Sequence, residues 1–211
     1  MFLINADDFG MTNGINEAIY NLINEDIINS CSIMCNMPYT QEAIFMIREL
    51  LKKGKKFNLN LHFNITEGHS LFNNKKFNMN NQYIDNIDFI KKELNSQMNF
   101  LKDNGVIING IDCHHNINLK NNLVNEIICS IPNIRIRNNN VYKKIYDNID
   151  DKVLFNGLIN RKYNEIMIHP SVTADDELKK MSVYFEQRLR EYELIIKNKE
   201  LIKVVLSKRN V

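Results

Sequence analysis

The apolar run Met1-Phe2-Leu3-Ile4 leads straight into Asn5-Ala6-Asp7-Asp8-Phe9-Gly10, so a strand with a buried body ends in two adjacent carboxylates. Gly10 and Gly14 let the backbone turn, Thr12 or Asn13 caps the segment that follows, and Ile15, Ala18, Ile19, Leu22 and Ile23 recur at helical spacing. A strand, a charged loop and a helix in that order make the unit from which α/β folds are built, and loops at the carboxyl ends of such strands carry the chemistry. Neighbouring side chains on extended backbone point to opposite sides, so Asp7 and Asp8 are expected to have different partners, one handling a cation and the other a proton. The competing reading makes one of them a helix cap and the other a solvated loop residue.

The unit repeats along the chain. Ser30 to Cys35 reads as a second strand, followed by a helix starting near Thr40 with Ala43, Ile44, Ile47, Leu50 and Leu51 as its stripe and Gly54 as its stop. Phe57 to Phe63 alternates cleanly: Phe57, Leu59, Leu61 and Phe63 face one way, and Asn58, Asn60 and His62 the other. Asn73 to Tyr83 is polar and reads as a lid or rim. A helix then runs from about Asp85 to Asn104, and a strand from Ile107 opens into Asp112-Cys113-His114-His115. A helix over 121–130 precedes the strand Ile134-Arg135-Ile136-Arg137. Between Asn138 and Tyr163 only Val153-Leu154-Phe155 suggests a strand. Glu165-Ile166-Met167-Ile168 is a buried strand ending in His169-Pro170, Ser182 to Ile196 a helix, and Leu201 to Leu206 a closing strand.

Composition narrows the class. A chain of 211 residues with 44% hydrophobic content buries a sizeable core and is expected to form one domain over 1–211. Its formal charge of +2 and the absence of aromatics among Lys52, Lys53, Lys55 and Lys56 argue against nucleic acid, since those lysines suit a helix terminus. No basic region precedes the first apolar run, and polar residues interrupt every apolar stretch short of about 18 residues, so no signal peptide and no membrane partner are expected. A cytoplasmic location follows, with Cys31, Cys35, Cys113 and Cys129 as thiols. Whether the chain forms a homodimer stays open.

The groups at the strand ends are Asp7, Asp8, His62, Asp112, His114, Arg135 and His169. In a parallel α/β barrel these ends converge on one face, and a carboxylate with two imidazoles suits a divalent ion that activates water. His62 by itself is equally a hydrogen-bonded interior residue, and Arg135 equally a salt-bridge partner.

Several stretches together resemble the YdjC or ChbG-like carbohydrate deacetylases: Asn5 to Gly10, His62-Phe63-Asn64-Ile65-Thr66-Glu67-Gly68, Asp112-Cys113-His114-His115, Arg135-Ile136, His169-Pro170, Arg190-Glu191-Tyr192-Glu193-Leu194 and Lys208-Arg209-Asn210-Val211. The resemblance implies an irregular TIM-like (β/α) barrel that removes the acetyl group from N-acetylated amino sugars or short chitooligosaccharides. It further implies a divalent ion, Mg²⁺ or Zn²⁺, on Asp8, His62 and His114. A remoter resemblance to polysaccharide deacetylases implies Asp7 as the general base. Asn116 and Asn118 stand where that family continues with histidines, and the 138–164 segment is shorter than usual. The expected division of labour makes His169 the general acid, suited to it by an imidazole's titration near neutrality, and has Arg135 orient Asp7 or bind a sugar hydroxyl. A sugar-binding barrel without turnover and a metal-dependent phosphoesterase are the rival readings. The latter ranks lower because the chain has no phosphate-cradling glycine-rich loop.

Overall fold

A computed structural model describes residues 1–77, 84–137, 141–142 and 149–210. The strands are β1 (Leu3–Phe9), β2 (Ser30–Ile33), β3 (Asn58–Phe63), β4 (Gly110–Cys113), β5 (Arg135–Ile136), β6 (Val141–Tyr142) and β7 (Glu165–Ile168). Between the early strands lie α1 (Asn13–Asn24), α2 (Thr40–Lys52) and α3 (Ile87–Asp103). A short 3-10 turn (His114–Asn116), α4 (Ile117–Lys120) and α5 (Asn122–Cys129) follow β4, and then come α6 (Asp151–Ile159), α7 (Asp176–Met181), α8 (Phe185–Lys197) and α9 (Lys199–Arg209). Thr12 caps α1, its hydroxyl accepting from the Ile15 N–H. The expected stripes of α1 and α2 are buried except for Leu51, which stays exposed. Part of the polar segment expected as a lid or rim, 78–83, lies outside the described residues.

All strand pairs are parallel, in the order β5-β4-β3-β2-β1-β7-β6. One end of that order, β5, comes back against β7 near the other. In a flat sheet β5 and β7 would lie about 24 Å apart, five steps of about 4.8 Å. Yet the Arg135 guanidinium on β5 meets the Glu165 carboxylate on β7 at 2.8 Å, and Arg137 reaches Glu165 at 2.6 Å. The sheet is therefore strongly curled. The α/β class is as expected, with a strongly curled parallel sheet, but among the described residues no ladder joins β5 to β6 to close it into the expected TIM-like barrel. Charged side chains link β5 to β7 across the curl.

The alternation read in the sequence sorts the two faces of this sheet. Leu59, Leu61, Phe63, Ile111, Ile166 and Ile168 belong to the apolar core under the helices. Asn5, Ser30, Ser32, Asn60, His62, Asp112 and Glu165 are buried and hydrogen-bonded inside the curl. The Cβ-free Gly110 pairs with Asn60 in register and gives that interior its room, since an added methyl would stand 2.5 Å from Asn60 Oδ1.

Two expected strands are helices. Val153 to Phe155 lie in α6, where the Asp150 side chain accepts from the Val153 N–H and so nucleates a helical turn. Leu201 to Leu206 lie in α9, with Ile202 and Leu206 buried at the four-residue spacing of one helix face. The β-branched run suggested extension, but β6 already occupies that edge of the sheet, and α9 is fastened to α6 instead: Arg209 donates to Leu158 O and Tyr163 O. Asn210 then clamps β1, its side chain bonding Phe2 N and Phe2 O. No helix among the described residues is long and apolar enough to cross a membrane. Cys31, Cys35 and Cys113 are buried free thiols and Cys129 an exposed one.

Candidate active site

Asp7 and Asp8 reach the same cavity despite being adjacent. Against β2, β1 registers Ala6 with Cys31 and Phe9 with Ile33, so β1 carries one extra residue there, and Asp8 sits at φ 71°. Such a bulge re-aims a side chain. The alternation that should have sent the two carboxylates to opposite faces is broken at that point, and both line one cleft of about 520 Å³. Their partners nevertheless differ, as expected.

Asp8 joins the histidines. Its Oδ1 lies 3.1 Å from His62 Nε2 and 3.0 Å from His114 Nδ1, and those two nitrogens are 3.3 Å apart. Donors held about 2.1 Å from a common ion stand about 3.0 Å apart in an octahedron and about 3.4 Å apart in a tetrahedron. The three atoms thus have the mutual spacing of one face of a metal's coordination shell. Behind them, His62 Nδ1 bonds the Asp112 carboxylate, which leaves Nε2 as the outward lone pair, the arrangement seen behind metal-ligating imidazoles. The second Asp8 oxygen is occupied by the Arg188 guanidinium at 2.7 Å. These groups could hold a metal.

The electrostatics point the same way. Burial alone would push the His62 imidazole down, but the Asp7 and Asp112 carboxylates raise it to about 10. Burial likewise opposes, and the Asp8 carboxylate produces, a rise at His114. For Asp8 burial favours the neutral acid, yet Arg188 and His114 hold its carboxyl well below the usual range. His62 and His114 are thus favoured in their charged forms, and a proton on His62 stands where a cation's charge would be.

Asp7 faces an arginine. Arg137 donates to both its oxygens at 2.7 Å, with Asn5 donating a third bond at 2.7 Å. Against the penalty of burial, Arg137 and His62 keep the Asp7 carboxyl well below the ordinary carboxylate range. The arginine expected at this position was Arg135. The structure instead turns Arg135 to Glu165 at the far end of the interior, and it is not among the residues lining the cleft. Arg135 and Arg137 share a strand face, so alternation could not choose between them. The choice falls to depth along the curl.

His169 follows β7 and lines the cleft, with Nε2 3.8 Å from Asp7 Oδ2. Burial pushes its imidazole down to about 4 although Asp8 and Asp7 oppose this, so it is neutral at neutral pH. Its backbone N–H donates to Glu191 Oε2 at 2.6 Å, and burial raises that carboxyl to about 8 against the pull of this bond and of Arg188. Sequence reasoning missed Arg137 as the partner of Asp7, and Arg188 altogether. Arg188 lies on a helix, where no strand-end signal applies, although it sits beside the Arg190 to Leu194 stretch. His115, at φ 56°, is half-exposed and bonds the Thr66 hydroxyl through Nδ1 at 2.9 Å.

A curled parallel sheet with carboxylates and imidazoles convergent at its strand ends is where α/β folds place their functional sites. Residues 1–152 match the family described as YdjC-like protein, and the chain belongs to that family. It is 28% identical over 220 residues to the carbohydrate deacetylase of Thermoanaerobacter pseudethanolicus, covering 88% of this chain and 86% of that one. The carbohydrate deacetylase of Clostridium beijerinckii is 27% identical over 239 residues, covering 98% and 95%. A crystal structure from Enterococcus faecalis V583, provisionally described as a cellobiose-phosphate cleavage protein, superposes with a TM-score of 0.81 at 19% identity over 100% of this chain and 95% of that one, which shows a common fold.

Proposed function

We propose that the chain is a metal-dependent carbohydrate N-deacetylase that hydrolyses the acetamide of an N-acetylated amino sugar or a short oligomer of it to acetate and the free amine. The observation that carries this reading is the buried Asp8, His62 and His114 triad, at ligand-to-ligand spacing, beside a separate carboxylate, Asp7, held by Arg137. The sugar comes from the relatives' names alone. Asp8, His62 and His114 would hold one divalent ion. Two imidazoles and one carboxylate suit Zn²⁺ or another first-row transition ion better than Mg²⁺, which prefers all-oxygen shells. A bound ion supplies Lewis acidity, which acidifies water and polarises an acyl oxygen.

The chain's own residues do the rest. Asp7, kept ionised by Arg137, takes a proton from the attacking water. His169 lies 3.8 Å from it and relays that proton. It ends on the departing nitrogen, which is a stronger base than either. Arg137 orients Asp7, and Arg188 fixes the outer oxygen of Asp8. Both are buried and already paired, which leaves little reorganisation for the reaction itself.

Incubation of the metal-loaded protein with N-acetylglucosamine and its short oligomers, and in parallel with phosphate esters, tests the reading through the acetate and phosphate released. Acetate alone is the expected result. Phosphate alone would replace the deacetylase with a phosphoesterase, and sugar binding without either product would leave a binding barrel. A cytoplasmic enzyme should favour soluble oligomers, and equal turnover on polymeric chitin would count against that location.

A further inference from the structure

Asp112 fixes His62, but His114 has no such partner in hydrogen-bonding geometry. Its Nδ1 faces Asp8 and His62, so with an ion on the triad its one lone pair would point there and its proton would sit on Nε2. That Nε2 is buried without a hydrogen bond. It faces Glu67, whose Oε2 is 3.5 Å away. An N–H donor buried next to a carboxylate and not quite bonded to it is a contact set to close by a few tenths of an ångström.

The loop carrying Glu67 is built to hold it there. The Asn64 side-chain oxygen accepts from both the Thr66 and Glu67 N–H groups, at 3.0 and 3.1 Å, and its amide nitrogen donates to Glu67 O at 2.9 Å. Asn36 donates to the same carbonyl at 3.2 Å. Gly68 follows at φ 69°, and a Cβ there would stand 2.4 Å from Asn36 O, so only glycine closes the turn. On its other side Glu67 Oε1 is 3.9 Å from His115 Nε2. The carboxylate is thereby set between two imidazoles, with its side chain 25% exposed to the cleft.

We propose that Glu67 is the positioning carboxylate of His114: it accepts the Nε2 proton, fixes the ring so that Nδ1 points at the ion site, and does for His114 what Asp112 does for His62. The inference rests on the metal triad proposed above. Glu67, His114 and His115 also lie close enough together to suggest a second ion among themselves. A neutral imidazole has one lone pair, however, and His114 cannot give it to two ions through opposite nitrogens. The donor role is the one consistent with the first site.

The test is Zn²⁺ affinity of the full chain, measured by titrating metal-free protein against a competing chelator, for wild type, Glu67→Ala and Glu67→Gln. Loss of an outer carboxylate of this kind weakens metal binding about 10- to 100-fold. Glu67→Ala should fall by that factor. Glu67→Gln should regain part of it, because its amide oxygen accepts the same proton. Nitrogen-proton correlation spectra of the Zn²⁺-loaded wild type should put the His114 proton on Nε2, and that resonance should move in Glu67→Gln. Unchanged Zn²⁺ affinity in Glu67→Ala, with only the KM for sugar raised, would make Glu67 a substrate contact and overturn the proposal. A His114 proton on Nδ1 would overturn it too. Wild type that does not bind Zn²⁺ at all would remove the triad itself, a failure distinct from that of Glu67.

Discussion

The two faces of the curled sheet are made of the same strands and obey opposite rules. Outside, Leu61, Phe63, Ile111 and Ile166 pack under the helices, and stability there comes from apolar area removed from water. Inside, Asn5, Ser32, His62, Asp112, Arg137 and Glu165 are just as deeply buried, and each is paired. Arg137 alone meets Asp7, Asp112 and Glu165. A buried ion network adds little net stability over an apolar core, but removing one partner leaves the others exposed to the full penalty of burial. The outer face keeps the chain folded, whereas the inner face spends its burial on holding charges at set positions.

The comparison breaks most readily at Arg137. Arg137→Ala leaves buried Asp7 without its arginine and weakens the pairing of Asp112 and Glu165, and should cost about 3–5 kcal/mol of unfolding free energy, together with turnover. Urea unfolding with an activity assay checks this, and a variant of wild-type stability would mean that the interior is wet rather than charge-paired. On the outer face Leu61→Ala should cost about 2–5 kcal/mol by leaving a cavity. Here the affinity of the folded protein for Zn²⁺ should stay as it is, and a large drop in that affinity would show that the two faces are not independent.

Asp7→Asn should lower turnover by about 10²- to 10⁴-fold while metal content is retained, the range for a lost proton acceptor. Asp8→Asn should empty the site. The reverse pattern would exchange their roles. His169→Ala should fall within the same range at its lower end, with metal still bound. An activated anilide, whose leaving group needs little protonation, should recover much of that loss, and equal losses on both substrates would remove the acid assignment.

The smallest effect is a pair of opposite pH slopes. In the folded, metal-free chain, against the effect of burial, the Asp7 and Asp112 carboxylates push the His62 imidazole up from an ordinary 6.5 to about 10. Its contribution to stability is therefore complete below about pH 6.5 and is lost as the pH rises toward about 10. Metal binding needs the neutral ring, so affinity should rise with pH across that same window, by at most about tenfold per unit for each proton displaced. Calorimetric melting of metal-free protein and Zn²⁺ titration over pH 6.5 to 9 measure the two slopes. Parallel slopes would mean that His62 is not where the ion and the proton compete.

Local pattern carried much of this molecule. The alternation in Phe57 to Phe63 put His62 on the inner face because period two needs no tertiary information, and the stripes of α1 and α2 followed from spacing in the same way. Strand ends pointed to Asp7, Asp8, His62, His114 and His169, which line one cleft. Pattern failed where the deciding contact is distant. Leu201 to Leu206 has the composition of a strand, but its deciding partner is α6, reached from Arg209 through Leu158 O.

By itself, then, the sequence determined which residues are inner and which outer, since that depends only on backbone geometry repeated along a strand. Tertiary structure alone decided the bulge that turns Asp8 back toward Asp7, the use of Arg137 rather than Arg135, and the arrival of Arg188 from a helix 180 residues away from Asp8. A buried charge is stabilised by whichever opposite charge the fold brings within about 3 Å, and nothing in the local sequence specifies that distance.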